Sequence, residues 1–271
     1  MRQQDSKRFA YVVLTNAAYV ELTSVMLLSL IDTGTPFTMR IMCLEDVTDE
    51  QKSTLQSLGD QIEICDITTL PLPANVQIPH KAWVISFSRM HMFTFEEFDK
   101  LIFLDSDIIV QTNIDDLFES PCLSACSHHY PSRHDRVSLN AGVFVLEPDS
   151  SLYELILDKV VHLPSPLPPH SWSISDQEVM IALYSPEPLA QQWRRSHQIA
   201  MAQIWHLLDY RYNAIVGLND RQIQGWDARQ AKVLHYTCGP KPWRTMKRDC
   251  YTDRLWWKYF EILESKKANL G

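Results

Sequence analysis

Nowhere in this 271-residue chain do apolar residues run long enough to cross a bilayer. The densest run, VMLLSLI, covers residues 25–31, against the roughly 20 that a spanning helix needs. The opening stretch MRQQDSKRFA carries basic side chains but no apolar h-region of a signal peptide. The chain as it stands therefore reads as soluble, a statement that does not extend to an anchor outside it. Basic charge is also short: 25 Lys and Arg against 33 Asp and Glu give a formal net charge of -8. That balance argues against a general nucleic-acid binder and leaves room only for a local basic pocket that could hold a phosphate. Paired cysteines are missing. The six present (Cys43, Cys65, Cys122, Cys126, Cys238, Cys250) form no CxxC framework, and Cys122 with Cys126 has no second pair nearby to complete a metal set. They read as reduced structural thiols, which favours an intracellular, cytoplasmic location. Internal repeats, Gly/Ser linkers and low-complexity tails are absent as well.

What is present is a globular chain with 45% apolar residues, enough to fill a sizeable core. FAYVVL (Phe9 to Leu14) reads as a strand, followed by a turn and a helix from Ala17 to Thr33 that stops at Gly34. The pattern repeats. TMRIMCLE is a second strand, and TDEQKSTLQSL opens with a capping box of Thr48 and Gln51 and ends at Gly59. QIEICDI is a third strand. After a proline-containing loop, a helix from about Lys81 to Phe98 leads to a fourth strand, KLIFLDSD. Strands alternating with helices predict an α/β fold with a mainly parallel sheet covered on both faces. Further on, NIDDLF predicts a short helix capped by Asn113, LNAGVFVLE a strand, and DSSLYELILDKVVHL a helix capped by Asp149. PSPLPPH (Pro164 to His170) is the best candidate for a boundary or surface loop.

The fourth strand ends on two acids, Asp105 and Asp107. In extended backbone, residues two apart share a side, so both carboxylates can converge while Ser106 turns away. Such a pair beside apolar neighbours needs a cationic or hydrogen-bonding partner. An isolated DxD is weak evidence, since acids also cap loops. HYTCGPKPW (His235 to Trp243) strengthens it, because the short run KVL can set His235 at the end of another strand. Gly239 would let backbone approach a phosphate, and Lys241 is a compact charge able to bind one. Two carboxylates with an imidazole favour Mn2+, with Mg2+ as the second choice.

In this order of motifs the chain resembles the glycogenin-like retaining glycosyltransferases, family eight of the carbohydrate enzymes. The resemblance spans roughly residues 8 to 245. It implies one Rossmann-like nucleotide-diphospho-sugar transferase domain of the A type, with a nucleotide-binding half over about 8–110 and an acceptor and donor-sugar half over about 111–245. Residues 246–271 are expected to form a helical extension packed on it, with Trp243, Trp256 and Trp257 as packing residues. VVLTNAAYV looks like the family's nucleotide turn, which implies that Leu14, Thr15, Asn16 and Tyr19 hold the uracil and ribose of a UDP-sugar. SFSRMHMF is similar to the segment whose basic residue, here Arg89, reaches the nucleotide-sugar. LIFLDSDIIVQTNIDDLF implies metal binding by Asp105 and Asp107, with His235 as third ligand and Ser106 beside the nucleotide. Asp115 and Asp116 are left as helix-start acids. LNAGVFVLEP implies that Asn140 and Ala141 line the donor-sugar pocket, the small residues of that strand leaving room for a sugar ring. SDQEVM implies that Asp176 and Gln177 lie near the anomeric carbon, and YRYNAI is similar to the family's Tyr-Asn pair, here Tyr212 and Asn213.

The resemblance therefore implies metal-dependent, retaining transfer of a hexose, glucose or galactose, from a UDP-sugar to an acceptor hydroxyl. Asp176, Gln177 and Lys241 are the expected catalytic groups. Two departures stand out. Cys238 occupies the position where the family commonly has glycine, with Gly239 following it, and no tyrosine follows Asn213 until Tyr236, so self-glucosylation is not expected and a separate acceptor is. HHYPSRHDRVS (128–138) and PSPLPPHSWSI (164–174) are the candidate acceptor-cleft segments. Two rivals remain. An inactive UDP-sugar-binding relative would keep much of the motif set. A haloacid-dehalogenase-type phosphatase usually carries its DxD on the first strand, whereas here three strands precede it. No nucleic-acid partner is expected, and the oligomeric state, a homodimer included, is left open.

Overall fold

The computed structural model describes residues 7–70, 85–127, 139–159, 176–184, 188–196, 205–218, 223–237 and 241–270. Gly239, the loop 164–170 and both candidate acceptor segments lie outside them.

Seven strands form the central sheet: β1 Phe9–Thr15, β2 Thr38–Cys43, β3 Ile62–Asp66, β4 Lys100–Leu104, β6 Ser124–Ser127, β7 Leu139–Leu146 and β8 His206–Leu207. Their spatial order is β3-β2-β1-β4-β7-β6-β8. The first four are parallel, as are β6 and β8, whereas β7 runs antiparallel to both its neighbours. Alternate side chains feed two cores on opposite faces. Tyr11, Val13, Ile102, Leu104, Val143 and Val145 enter one, and Ala10, Val12, Leu101, Phe103, Phe144 and Leu146 the other. Burial on both faces explains why these strands read as unbroken apolar runs.

Helix α1 (Val20–Ile31) covers the first face and is buried almost all round, because the C-terminal helix Tyr251–Leu270 packs over it with Trp256 and Trp257. The ring of Trp256 lies 5.2 Å from that of Trp243 and 4.9 Å from that of Trp257. Among the described residues no helix is long and apolar enough to cross a membrane. The described cysteines are free thiols, and burial pushes that of Cys43 up to about 12.

Most predicted elements are found, with three informative differences. The first helix starts at Val20 and not Ala17, because the carbonyl and side chain of Asn16 both accept from Tyr19 N–H and hold a turn there. The capping box of Thr48 and Gln51 on α2 (Asp49–Gln56) forms as expected. Where a helix to Phe98 is predicted, the described residues hold a 3-10 helix over Phe87–Thr94. Its buried Phe87, Met90 and Phe93 recur every three residues, the period of that tighter helix. NIDDLF also forms a 3-10 helix, over Asp115–Glu119, with the Asn113 side chain accepting from Asp115 N–H and not serving as a true helix cap.

The topology locates the site. From β1 the chain steps to β2 and β3 on one side and then crosses back to β4 on the other. A crevice outside the carboxyl ends of β1 and β4 results, the switch point where open α/β sheets bind ligands. Antiparallel β7 brings its beginning, Asn140 to Gly142, to the same edge. A second sheet, ordered β5-β10-β9 (β5 Ile108–Val110, β9 Ala214–Ile215, β10 Val233–His235), adds a residue from far along the chain. His235 is registered against Ile108 in it.

Candidate functional site

β4 stops at Leu104, and Asp105 N–H then donates to Gly142 O at 2.9 Å, adding a bond beyond the strand. The chain turns through Ser106 and Asp107 before β5 begins, and Tyr236 N–H donates to Asp107 O at 2.9 Å. These backbone bonds hold the acidic turn against β7 on one side and β10 on the other. His235 Nε2 consequently lies 3.1 Å from Asp107 Oδ1 and 3.7 Å from Asp105 Oδ2. One ligand atom from each of the three residues falls within 4.8 Å of the others. Ser106 points toward the end of β1, donating to Leu14 O at 2.9 Å and accepting from Thr23 Oγ1 at 3.0 Å.

Whether these residues suit a divalent cation depends on the imidazole. His235 Nδ1 faces Asn213 Oδ1 at 2.8 Å, and a side-chain carbonyl can only accept, so the proton belongs on Nδ1. Nε2 then turns toward the two carboxylates, donating to Asp107 when the ring carries a second proton and offering a lone pair to a cation when it does not. Gly142 makes room for the ring: a Cβ there would lie 2.3 Å from His235 Cε1 and 2.6 Å from Nδ1. The space this small residue leaves is therefore filled by imidazole, not by sugar. Two carboxylates and one oriented imidazole fit Mn2+ or Mg2+.

Behind the turn, Arg89 is buried to 7% exposure, stacked 4.5 Å over the Phe103 ring. Its guanidinium spans two acids, with Nη2 3.0 Å from Asp105 Oδ1 and Nη1 2.9 Å from Asp176 Oδ2. It also donates to Ala141 O at 2.9 Å and Ser86 O at 3.2 Å. Burial works to lower its pKa, but Asp176 and Asp105 outweigh it and raise the value, so the cation is secure. Asp176 begins the helix Asp176–Tyr184 and accepts from Ser86 Oγ at 2.7 Å, so both its oxygens are engaged. The next residue, Gln177, accepts from Ala141 N–H at 3.3 Å.

Lys241 Nζ lies 2.6 Å from Asp107 Oδ2. Burial works to raise the Asp107 carboxyl, but His235 and Lys241 prevail and hold it well below the usual carboxylate range. Asp105 is pushed the other way, by burial first and by its acidic neighbours, against the pull of Arg89 and His235. Around this point three carboxylates (Asp105, Asp107, Asp176) meet two permanent cations (Arg89, Lys241). A further positive charge would balance the set.

In front of these residues opens a cleft of about 320 Å³. Of the sequence-predicted residues, Leu14, Thr15, Asn16, Tyr19, Arg89, Asp105, Ser106, Asp107 and Lys241 line it, joined by Ile85, Ser86 and Thr237. Asn140, Ala141, Asp176, Gln177 and His235 do not line it and stand behind or beside that wall. Gly239 lies outside the described residues.

The sequence model described as Glycosyl transferase family 8 matches residues 11–247. This chain belongs to glycosyltransferase family 8. Among curated relatives, inositol phosphorylceramide glucuronosyltransferase 1 of Arabidopsis thaliana is 30% identical over 248 residues, 88% of this chain and 43% of that protein. Galactinol synthase 1 of Ajuga reptans is 25% identical over 262 residues, 81% of this chain and 71% of the relative. The solved glycosyltransferase GlyE of Streptococcus pneumoniae superposes with a TM-score of 0.62 at 20% identity, covering 95% of this chain and 63% of that one. Galactosyltransferase LgtC, solved with donor and acceptor sugar analogs, gives 0.58 at 15% identity, covering 94% and 95%. At such identities the likeness is one of fold, the A-type glycosyltransferase fold. The chain spans less than half the length of the glucuronosyltransferase and under two thirds of GlyE.

For this family 8 chain, three residues around the site carried little or no signal of their own. Asn213 was visible only through the Tyr-Asn pair, and its contact with His235 joins residues 22 apart. Ser86 is a serine among several. Gly142 was visible as a small residue, but what it makes room for lies nearly a hundred residues away.

Proposed function

We propose that this family 8 chain transfers a hexose from a UDP-sugar to a separate acceptor hydroxyl, with retention at the anomeric carbon and with a divalent metal. The observation that carries the reading is the convergence of Asp105, Asp107 and His235, with Lys241 on Asp107, at a cleft that Asp105, Asp107 and Lys241 line together with Asn16 and Tyr19.

When bound, a divalent cation on Asp105, Asp107 and His235 supplies positive charge for the departing diphosphate. The chain's own residues do the rest. Lys241 exchanges its contact with Asp107 for one with the diphosphate, a fixed cation where negative charge grows. Leu14, Thr15, Asn16 and Tyr19 hold the nucleoside end. Arg89 keeps Asp105 and Asp176 at a fixed separation, so the metal end and the sugar end of the donor stay in register. Asp176, with both oxygens engaged, is better placed to stabilise positive charge on the sugar than to attack it. Gln177, next to it in the helix, accepts from Ala141 N–H near the start of β7.

The test is a panel of UDP-sugars with candidate polyol, glycan and lipid acceptors, scored by mass spectrometry of the products and NMR of the new glycosidic bond. An axial linkage from an axial donor supports the reading. An inverted product, or no transfer from any donor despite tight UDP binding, contradicts it.

A further inference from the structure

The acidic turn and its histidine are joined to two amides that a metal and diphosphate site does not by itself require. Asn213 Nδ2 donates to Asn140 Oδ1 at 2.7 Å, and Gly142 N–H donates to the same oxygen at 2.9 Å. Asn140 Oδ1 is thus held by two donors, which settles which way the Asn213 amide faces. With its nitrogen turned to Asn140, Asn213 can present only its oxygen to His235 Nδ1, at 2.8 Å. Every member is buried: Asn140 is 5% exposed, Asn213 3% and His235 2%. A reversed amide would set nitrogen against N–H and oxygen against oxygen.

We propose that Asn213 is a positioning residue for His235, fixing the proton on Nδ1 and aiming Nε2 at the space shared with Asp105 and Asp107, with Asn140 locking Asn213 in turn. The inference rests on the metal reading above and deepens it. It also gives Asn140, which does not line the cleft, a task of its own: its side-chain oxygen holds Asn213, the support of a metal ligand. The three residues come from three strands or strand edges, β7, β9 and β10, so the relay also fixes how the small sheet seats against the large one. A chain of this kind works by geometry. Without the acceptor at Asn213, the ring is free to rotate or to carry its proton on Nε2, and a protonated Nε2 cannot hold a cation.

Two measurements test it. In 15N-histidine protein, long-range proton–nitrogen spectra recorded where the ring is neutral report the tautomer of His235 directly, its signals being assigned among the ten histidines by their loss in H235Q. The proposal expects Nδ1–H in the unmodified protein, and an Nε2–H ring there overturns it without any Asn213 variant having to fold. Mn2+ affinity, read from the electron paramagnetic resonance of the free ion, should fall about 10- to 100-fold in Asn213→Ala. It should fall less in Asn213→Asp, which keeps an acceptor for Nδ1–H but loses the donor to Asn140 Oδ1. An Asn213→Ala protein that folds and binds Mn2+ as tightly as the unmodified chain overturns the proposal. Failure of the unmodified protein to bind Mn2+ at all would sink the metal reading instead, and the tautomer spectrum would still decide the relay.

Discussion

Asp107 and His235 are 128 positions apart in the chain, yet His235 Nε2 stands 3.1 Å from Asp107 Oδ1. The antiparallel pairing of Ile108 with His235 across β5 and β10 imposes that closeness. Asp107 also carries the Lys241 contact, so it joins the proposed metal and diphosphate functions. Asp107→Ala should abolish measurable Mn2+ binding and slow transfer on the order of 100-fold or more, the scale seen when one electrostatic partner of a transition state is lost. Circular dichroism should be unchanged. Mn2+ binding equal to that of the unmodified chain would remove Asp107 from the site.

Gly142 is the backbone position that the imidazole leans on. Gly142→Ala places a methyl 2.3 Å from His235 Cε1, so the ring or β7 must shift. Overpacking of this kind costs about 1–3 kcal/mol. Urea denaturation should show that loss, accompanied by weaker Mn2+ binding. An alanine variant with unaltered stability and metal affinity would show that the ring is not confined there.

Arg89 holds a buried charge between two aspartates. Arg89→Met leaves Asp105 and Asp176 uncompensated, and breaking a buried pair in this way costs about 3–5 kcal/mol. The urea midpoint should fall accordingly. A loss below about 1 kcal/mol, the range of exposed pairs, would mean that solvent and not Arg89 balances these acids.

Much of the scaffold was legible because both faces of its sheet are buried. FAYVVL and KLIFL read as strands since nearly every residue in them is apolar, and the Thr48 capping box is local chemistry that short spacing reveals. The acids, the histidine and the lysine were found as motifs. Harder to see was anything set by contact between distant segments. The period of three in Phe87, Met90 and Phe93 was absorbed into a longer helical pattern, and Ala17 to Tyr19 read as helix because the Asn16 turn leaves no mark except one asparagine. Arg89 was legible as a cation beside the site, but its two carboxylate partners depend on where β4 and the helix Asp176–Tyr184 meet. Gly142 and Asn213 gain their meaning only from the position of His235.

The C-terminal helix Tyr251–Leu270 packs on α1 through Trp256, which is 2% exposed. Trp256→Ala should cost about 3–5 kcal/mol and lower the single unfolding transition of the whole domain. A separate early transition for the helix, with the domain unaffected, would show that the extension is only appended.

If a divalent metal on Asp105, Asp107 and His235 serves UDP-sugar turnover, UDP release from a panel of UDP-sugars, measured before chelation, after EDTA and after Mn2+ is restored, will follow the metal. Release should stop with EDTA and return with Mn2+ for the unmodified chain, and should not return for Asp107→Ala. Release that continues undiminished in EDTA, or none with any UDP-sugar under Mn2+, would contradict that role of the metal.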